Sequence, residues 1–372
     1  MPDLVAIDLP GGDAFVAALR GAWADGDAVL PVDQRLSPRT REALLAELRP
    51  ARVVTAAGEV PRAGGVPVEP GDALVMATSG TTGTAKGVIL THDAVQASAL
   101  ATTARLGVDP GRHRWLACLP LNHVGGLSVI SRALLTGTPV TVLPGFDATT
   151  VRAAAGPEVL VSLVATALQR VGAQLFHTVV LGGSAPPEAR PPNVVTTYGL
   201  TETGSGVVYD GVPLEGVEVA IDPETREICL RGPMLLRAYR DGSPALDRAG
   251  WFGTGDAGEL AADGRLHIEG RLGDLIITGG ENVWPGPVEA ALRLHPAVAE
   301  VAVAGRSDPE WGQRVVAWVV PTDPSAPPAL ADLRAVVAER VAPYAAPRQL
   351  VMVDQLPLTA IGKVRRDLLP PA

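Results

Sequence analysis

Short apolar runs alternate with amphipathic helical stretches over the first half of this chain, and that alternation limits the possible fold more than any other feature. "DAVLPV" and "ARVVTA" read as buried strands, as do "DALVMA", "RWLACLP", "PVTVLP", "EVLVSLV" and "HTVVLGG" further along. "AFVAALRGAWADG" and "SPRTREALLAELRP" read as amphipathic helices, the second with Ser37 as N-cap and Pro38 in its first turn. Strands separated by helices predict an α/β fold with a sheet that is at least partly parallel. From about Val217 the pattern changes. "VEVAIDPETREICLRG" and "GELAADGRLHIEGR" alternate and turn through Gly and Asp, as antiparallel strands do. After "GRLGDLIITGG", helix "GPVEAALRLHP", strands "VAEVAVAG" and "QRVVAWVV", and helix "LADLRAVVAERV" make a compact segment. The expected domain boundary lies near Gly273, giving residues 1–272 and 273–372.

Charge and cysteine usage remove several classes of function. The net charge is -9 and no basic run exceeds two residues, so nucleic-acid binding is not expected. The opening "MPDLVAIDLPGGDAF" has acids and a proline where a signal peptide needs a basic and then an apolar segment. No apolar run approaches the ~18 residues of a membrane span. Cys118 and Cys229 are far apart and offer neither a disulfide framework nor zinc spacing. A cytoplasmic protein with no structural metal is expected.

The basic residues carry a further signal. Of 31, 29 are arginine, and the two lysines are Lys86 and Lys363. Lys86 sits in "TSGTTGTAKG" (Thr78 to Gly87), directly after an apolar strand. Glycines let backbone N–H groups approach an anion, hydroxyls add donors, and lysine adds a point charge, which suits a polyphosphate. The glycine spacing, and Gly87 in place of Ser or Thr after the lysine, exclude a Walker A loop.

The string "TSGTTGTAKG" resembles the phosphate-binding signature of the acyl-adenylate-forming superfamily of acyl- and aryl-CoA ligases, luciferases and adenylation domains. Other motifs follow in that superfamily's order: "LPLNHVGGL", "VVLGGSAPP", "TYGLTETG", "GWFGTGD", "EGRLGDLIITGGENVWP" and "LTAIGKVRR". The likeness runs from Leu30 to Arg366. It implies a large N-terminal domain of layered α/β sheets with a small barrel-like β part, and a small mobile α+β C-terminal lid.

The resemblance also implies site roles. Thr78, Ser79, Gly80, Thr81, Thr82, Gly83 and Lys86 would hold the ATP phosphates. Gly182, Gly183 and Ser184 would border the adenine, Tyr198 would stack on it, and Gly199 would belong to the same nucleotide-binding set. Thr201 would touch the α-phosphate and Glu202 would hold Mg²⁺, a usual arrangement for magnesium beside phosphates. Asp256 and Arg271 would meet the ribose. His123 would lie by the acyl pocket, Gly279 and Gly280 by the coenzyme A tunnel, and Gly273 at the hinge. Lys363 would bridge the substrate carboxylate and the α-phosphate. Arg365 and Arg366 read as solvated charges.

Two departures from the superfamily are visible. Only 77 residues precede Thr78, fewer than its members usually carry. The hinge position, commonly Asp or Lys, is Gly273, followed by Asp274.

The implied reaction is ATP-dependent formation of an acyl-adenylate from a small carboxylic acid, then of a coenzyme A thioester. Amino-acid-activating relatives carry an Asp near the histidine motif. "LNHVGGLSV" has none, which disfavours amino acids. "SLVATAL" and "TETGSGVVYDGVPLEGVEV" resemble the o-succinylbenzoate–CoA ligases of menaquinone biosynthesis, with Thr166 and Ser205 as candidates for the acyl pocket. Another aryl- or acyl-CoA ligase is the alternative, and a nucleotide-binding protein without ligase activity is a third reading. A homodimer is the expected assembly if the protein is oligomeric.

Overall fold

The computed structural model describes residues 1–79, 85–183, 190–358 and 364–372. The chain divides into two compact units, residues 1–220, 229–252 and 262–266, and residues 221–228, 253–261 and 267–372.

The apolar runs at the start of the chain become the centre of the first unit. One seven-stranded sheet runs in the order Ala238–Tyr239, Ala85–Thr91, Asp72–Ser79, Ala28–Pro31, Leu4–Asp8, Arg52–Thr55, Gly58–Pro61. Its middle pairs are parallel, while Asp72–Ser79 and Ala85–Thr91 form an antiparallel hairpin. A second seven-stranded sheet has five parallel strands, from Val194–Gly199 through Phe176–Leu181, Gly156–Leu163 and Arg114–Ala117 to Val140–Val142. Helix His92–Leu106 packs on the first sheet and helix Val124–Thr136 on the second, and the two helices pack on each other. Strands covered on both faces need no polar alternation, which is why these runs read as almost continuously apolar. Leu74, Val75 and Met76 are accordingly buried. Helix Pro38–Leu48 starts as its sequence requires, with Thr40 N–H donating to Ser37 Oγ at 3.2 Å and Pro38 in the first turn.

The two-residue strand Ala238–Tyr239 pairs with Ala85–Thr91 through register Ala238↔Ile89 and Tyr239↔Val88. Its flanks are pinned by arginines. Arg237 grips Asp72 bidentately, Nε to Oδ1 at 2.8 Å and Nη2 to Oδ2 at 2.9 Å, and also reaches Glu69. Asp72 is fully buried, so its charge depends on this partner. Removing one half of a buried pair strands the other charge in a low-dielectric interior. Arg237→Ala is therefore expected to lower unfolding stability by about 3–5 kcal/mol. Chemical denaturation measures this directly, and a loss under about 1 kcal/mol, the surface-pair range, would contradict it.

In the second unit, strand Gly312–Pro321 pairs antiparallel with Val298–Asp308 and Ile276–Thr278 and parallel with Gln349–Met352, and Glu281–Val283 pairs antiparallel with Ile276–Thr278. Side chains alternate between two faces. Val301 and Val303 meet Val288, Leu292, Leu333 and Val337 of helices Pro285–Leu292 and Leu330–Arg340. Ala302, Ala304 and Trp318 meet Leu356 and Leu369 on the other face. A further four-stranded sheet follows the order Glu218–Ile221, Glu227–Arg231, Phe252–Leu260, Leu266–Arg271.

Candidate active site

The motif "TSGTTGTAKG" joins two strands, Asp72–Ser79 and Ala85–Thr91, that pair antiparallel. Pairing continues into the motif from both sides, with Thr78 opposite Lys86 and Ser79 opposite Ala85. Gly80, Thr81, Thr82 and Gly83 lie outside the described residues. Gly87 has a packing reason to be glycine: an added Cβ would lie 2.9–3.0 Å from Val75, Leu48 and Arg240. Arg240 N–H donates to the Gly87 carbonyl at 2.8 Å, which holds the strand end in place.

"TYGLTETG" is strand Val194–Gly199 running into a 3-10 turn at Thr201–Thr203. Gly199 admits no side chain, because a Cβ would come 2.2 Å from the Ser205 carbonyl oxygen. Gly204 ends the turn at φ +67°, a left-handed backbone that favours glycine. Thr203 Oγ1 accepts from Leu200 N–H at 2.9 Å and donates to the Ser205 carbonyl at 2.6 Å. This rigid turn carries half-buried Thr201 and Glu202. The Glu202 carbonyl accepts from Leu236 N–H at 2.7 Å. Its carboxylate Oε1 accepts from the Tyr239 hydroxyl at 3.1 Å, and Lys86 Nζ lies 5.0 Å from the Tyr239 ring centre. Two expected site residues, Lys86 and Glu202, thus meet at one tyrosine that the sequence did not mark.

Gly182 and Gly183 follow strand Phe176–Leu181, with Gly183 at φ +87°. Ser184 is outside the described residues. Tyr198 is half-buried opposite Val208. His123 occupies the N-cap position of helix Val124–Thr136 without a side-chain capping bond. Asn122 Nδ2 lies 3.3 Å from His123 Nε2 and donates to Asp33 Oδ2 at 3.3 Å. Burial opposes ionisation of Asp33, yet hydrogen bonds from Arg35 outweigh it and hold the carboxyl below its ordinary range.

Beneath the turn, Ser205 is buried and accepts from Arg132 Nη2 at 3.0 Å. Arg132 is only 2% exposed. Its guanidinium lies 4.7 Å over the Trp115 ring, and its Nε and Nη1 have no hydrogen-bond partner among the described residues. Burial pushes its pKa down, with partial relief from Tyr209. It lines a small cavity with Ser98, Ser128, Ser131, Leu127 and Gly204. That cavity is about the size of one water. The sequence signal was available: Arg132 is the one charged residue in the helix "VGGLSVISRALLT". Thr166, expected with Ser205, is instead exposed in the first turn of helix Ala165–Val171.

In the second unit, Arg271 Nη1 donates to Asp256 Oδ1 and to the Thr254 carbonyl, both at 2.8 Å. Gly273 lies in the 3-10 turn Leu272–Asp274, where an added Cβ would meet open space and φ is not left-handed. Gly279 and Gly280 turn the hairpin between Ile276–Thr278 and Glu281–Val283 with φ +61° and +85°. Two successive positive φ values are what a tight hairpin demands, so this pair has a structural reason of its own.

Lys363 is outside the described residues. Its flanks are tied by a Leu358↔Val364 bridge and by Arg365 N–H donating to the Pro357 carbonyl at 2.7 Å. Arg365 pairs with Asp367 at the surface, as a solvated charge does. Arg366 corrects its expectation. It binds buried Glu289 at 2.6 Å, Asp274 at 3.3 Å and the Val303 carbonyl at 3.0 Å. Its charge is matched within the fold because Glu289 is buried and needs a cation.

Among the described residues no three His, Cys, Asp or Glu side chains cluster as a metal cage, and no helix is long and apolar enough to cross a membrane. One carboxylate beside a polyphosphate is instead the way magnesium is commonly held, so Glu202 fits that ion.

Residues 62–240 match the AMP-binding enzyme family, and residues 287–363 match the AMP-binding enzyme C-terminal domain. A probable 2-succinylbenzoate–CoA ligase of Mycobacterium tuberculosis H37Rv is 39% identical over 393 residues, covering 98% of this chain and 97% of that protein. The 2-succinylbenzoate–CoA ligase of Geobacillus kaustophilus is 37% identical, over 80% of this chain and 68% of its own length. Among solved structures, the Bacillus subtilis o-succinylbenzoate CoA synthetase in complex with its acyl-adenylate intermediate superposes with a TM-score of 0.87 at 28% identity. That match covers 100% of this chain and 88% of the other. The same enzyme with ATP and magnesium gives 0.85, also at 28% identity, over 99% of this chain and 89% of the other. A fold shared over the whole chain, with the phosphate hairpin and the Tyr198–Gly204 turn in the superfamily's order, leads to one conclusion: this chain belongs to the AMP-binding enzymes, in the family of the 2-succinylbenzoate–CoA ligases.

Proposed function

We propose that the protein activates 2-succinylbenzoate with ATP and transfers the acyl group to coenzyme A. The substrate carries two carboxylates. One reacts, and the other needs a cationic partner away from the phosphates. Arg132 is the observation that carries this reading, since a buried guanidinium with two nitrogens unpartnered among the described residues is costly unless an anion compensates it. The cavity that it shares with Ser128 and Ser131 suits a bridging water between the guanidinium and a carboxylate at its mouth.

In the first step a carboxylate oxygen attacks the α-phosphorus of ATP, a P–O bond forms, and the bond to pyrophosphate breaks. Thr78, Ser79, Gly80, Thr81, Thr82, Gly83 and Lys86 hold the leaving phosphates. Thr201 touches the α-phosphate, Tyr198 with Gly182, Gly183, Ser184 and Gly199 takes the adenine, and Asp256 and Arg271 take the ribose hydroxyls. Magnesium on Glu202, when bound, neutralises charge on the phosphates. His123 borders the acyl group, with Ser205 beneath it and Thr166 at its edge. Lys363 carries a positive charge to the reacting carboxylate and α-phosphate. Positioning and charge stabilisation of this kind supply most of such a barrier reduction. In the second step a thiolate attacks the acyl carbon, the thioester forms, and AMP leaves with the mixed-anhydride oxygen. The 273–372 domain turns about Gly273 between the steps, and coenzyme A enters by Gly279 and Gly280. ATP and coenzyme A as substrates support a cytoplasmic location.

Acid-dependent exchange of pyrophosphate into ATP tests the first step. Exchange is expected with 2-succinylbenzoate and is expected to fall by about 100-fold in Glu202→Gln, which keeps shape and loses charge. Equal exchange with and without added acid would contradict the adenylation reading.

A further inference from the structure

Tyr239 sits on the short strand Ala238–Tyr239 between the phosphate hairpin and the Thr201–Thr203 turn, and belongs to none of the motifs that mark the site. Its hydroxyl donates to Glu202 Oε1 at 3.1 Å, which orients the carboxylate and leaves its second oxygen to a cation. Its ring carries Lys86 Nζ at 5.0 Å from the centre, within range of attraction to the ring face. The strand itself is fixed by the bidentate Arg237–Asp72 pair on one side and by Arg240 N–H to the Gly87 carbonyl on the other. The backbone on both sides of the tyrosine is therefore anchored to the two strands that carry the phosphate motif.

We propose that Tyr239 is a positioning residue that sets the magnesium-binding carboxylate and the phosphate-binding lysine against each other through opposite ends of one side chain. The proposal rests on the magnesium role of Glu202 and the phosphate role of Lys86 given above. Carboxylates that ligate metals are held by hydrogen bonds from outside the coordination shell, and loss of such a partner typically weakens the metal by 10–100-fold. The ring end does separate work, because it is present whether or not metal is bound.

The two ends come apart by mutation. Tyr239→Phe keeps the ring and removes the hydroxyl. Tyr239→Leu removes both. Calorimetric ATP binding, with and without Mg²⁺, reads each end without requiring turnover. In Tyr239→Phe, metal-free ATP affinity is expected to stay within about twofold of wild type, while the gain from Mg²⁺ falls about tenfold. In Tyr239→Leu, metal-free affinity is expected to fall as well, by about threefold. In a Glu202→Gln background, Tyr239→Phe is expected to add nothing further. Equal loss of metal-free and metal-dependent binding in Tyr239→Phe would overturn the proposal, as would a full Tyr239→Phe effect in the Glu202→Gln background. A wild-type magnesium effect that Glu202→Gln leaves intact would instead bring down the metal role of Glu202, and this inference with it.

Discussion

Arg132→Met is expected to raise KM for 2-succinylbenzoate by about 10- to 100-fold while leaving thermal stability unchanged or improved. The first half follows from losing a charge-assisted contact to a carboxylate, worth about 1.5–3 kcal/mol. The second follows from the environment of the guanidinium. Two of its nitrogens are buried without a partner among the described residues, and burial depresses its pKa. Replacing such a group by an apolar side chain of similar length removes a desolvation penalty. Ser205 Oγ keeps Ser128 Oγ at 3.5 Å as a neighbour. A residue held only for packing would show the opposite pattern, with stability lost and the acid's KM unmoved. Steady-state kinetics beside a melting curve separate the two. KM for ATP serves as the internal control and is expected to stay within about twofold, since Arg132 is assigned to the acid's second carboxylate and not to the nucleotide.

The second large effect is expected at Lys363. Lys363→Ala is expected to slow adenylation by about 100- to 1,000-fold, the scale of losing one stabilising donor at developing charge. Thioester formation from preformed acyl-adenylate is expected to proceed within a few-fold of wild type. Lys363→Arg is the sharper variant. It keeps the charge and changes only shape, from a compact ammonium to a planar fork. In a chain where 29 of 31 basic residues are arginine, a lysine that arginine could replace has little reason to persist. Lys363→Arg is therefore expected to fail in adenylation as well. Rapid-quench measurement of the two half-reactions distinguishes this from a general defect, which would slow both.

Much of the fold was legible because its information is local. Runs such as "DALVMA" and "HTVVLGG" announce buried strands, and Ser37 with Pro38 announces a helix start. What escaped the sequence is long-range. The Asp72–Arg237 pair joins residues 165 apart, and nothing near either one names the other. Ala238–Tyr239 is too short a strand to show periodicity, yet it brings Lys86 and Glu202 to one side chain. Arg366 looked like part of a solvated basic pair because its partners Glu289 and Asp274 are 77 and 92 residues away. Arg132 is the exception, since a lone charge on an apolar helix is visible in sequence.

The central claim is that this site activates an acid bearing a second carboxylate, read by Arg132. The direct measurement is kcat/KM for AMP release, with ATP, Mg²⁺ and coenzyme A, for 2-succinylbenzoate against the same acid with its non-reacting carboxylate replaced by hydrogen. The account predicts thioester formation with a preference for the dicarboxylate of about 100-fold, collapsing towards unity in Arg132→Met. Turnover of the monocarboxylate with no AMP released from 2-succinylbenzoate would contradict it.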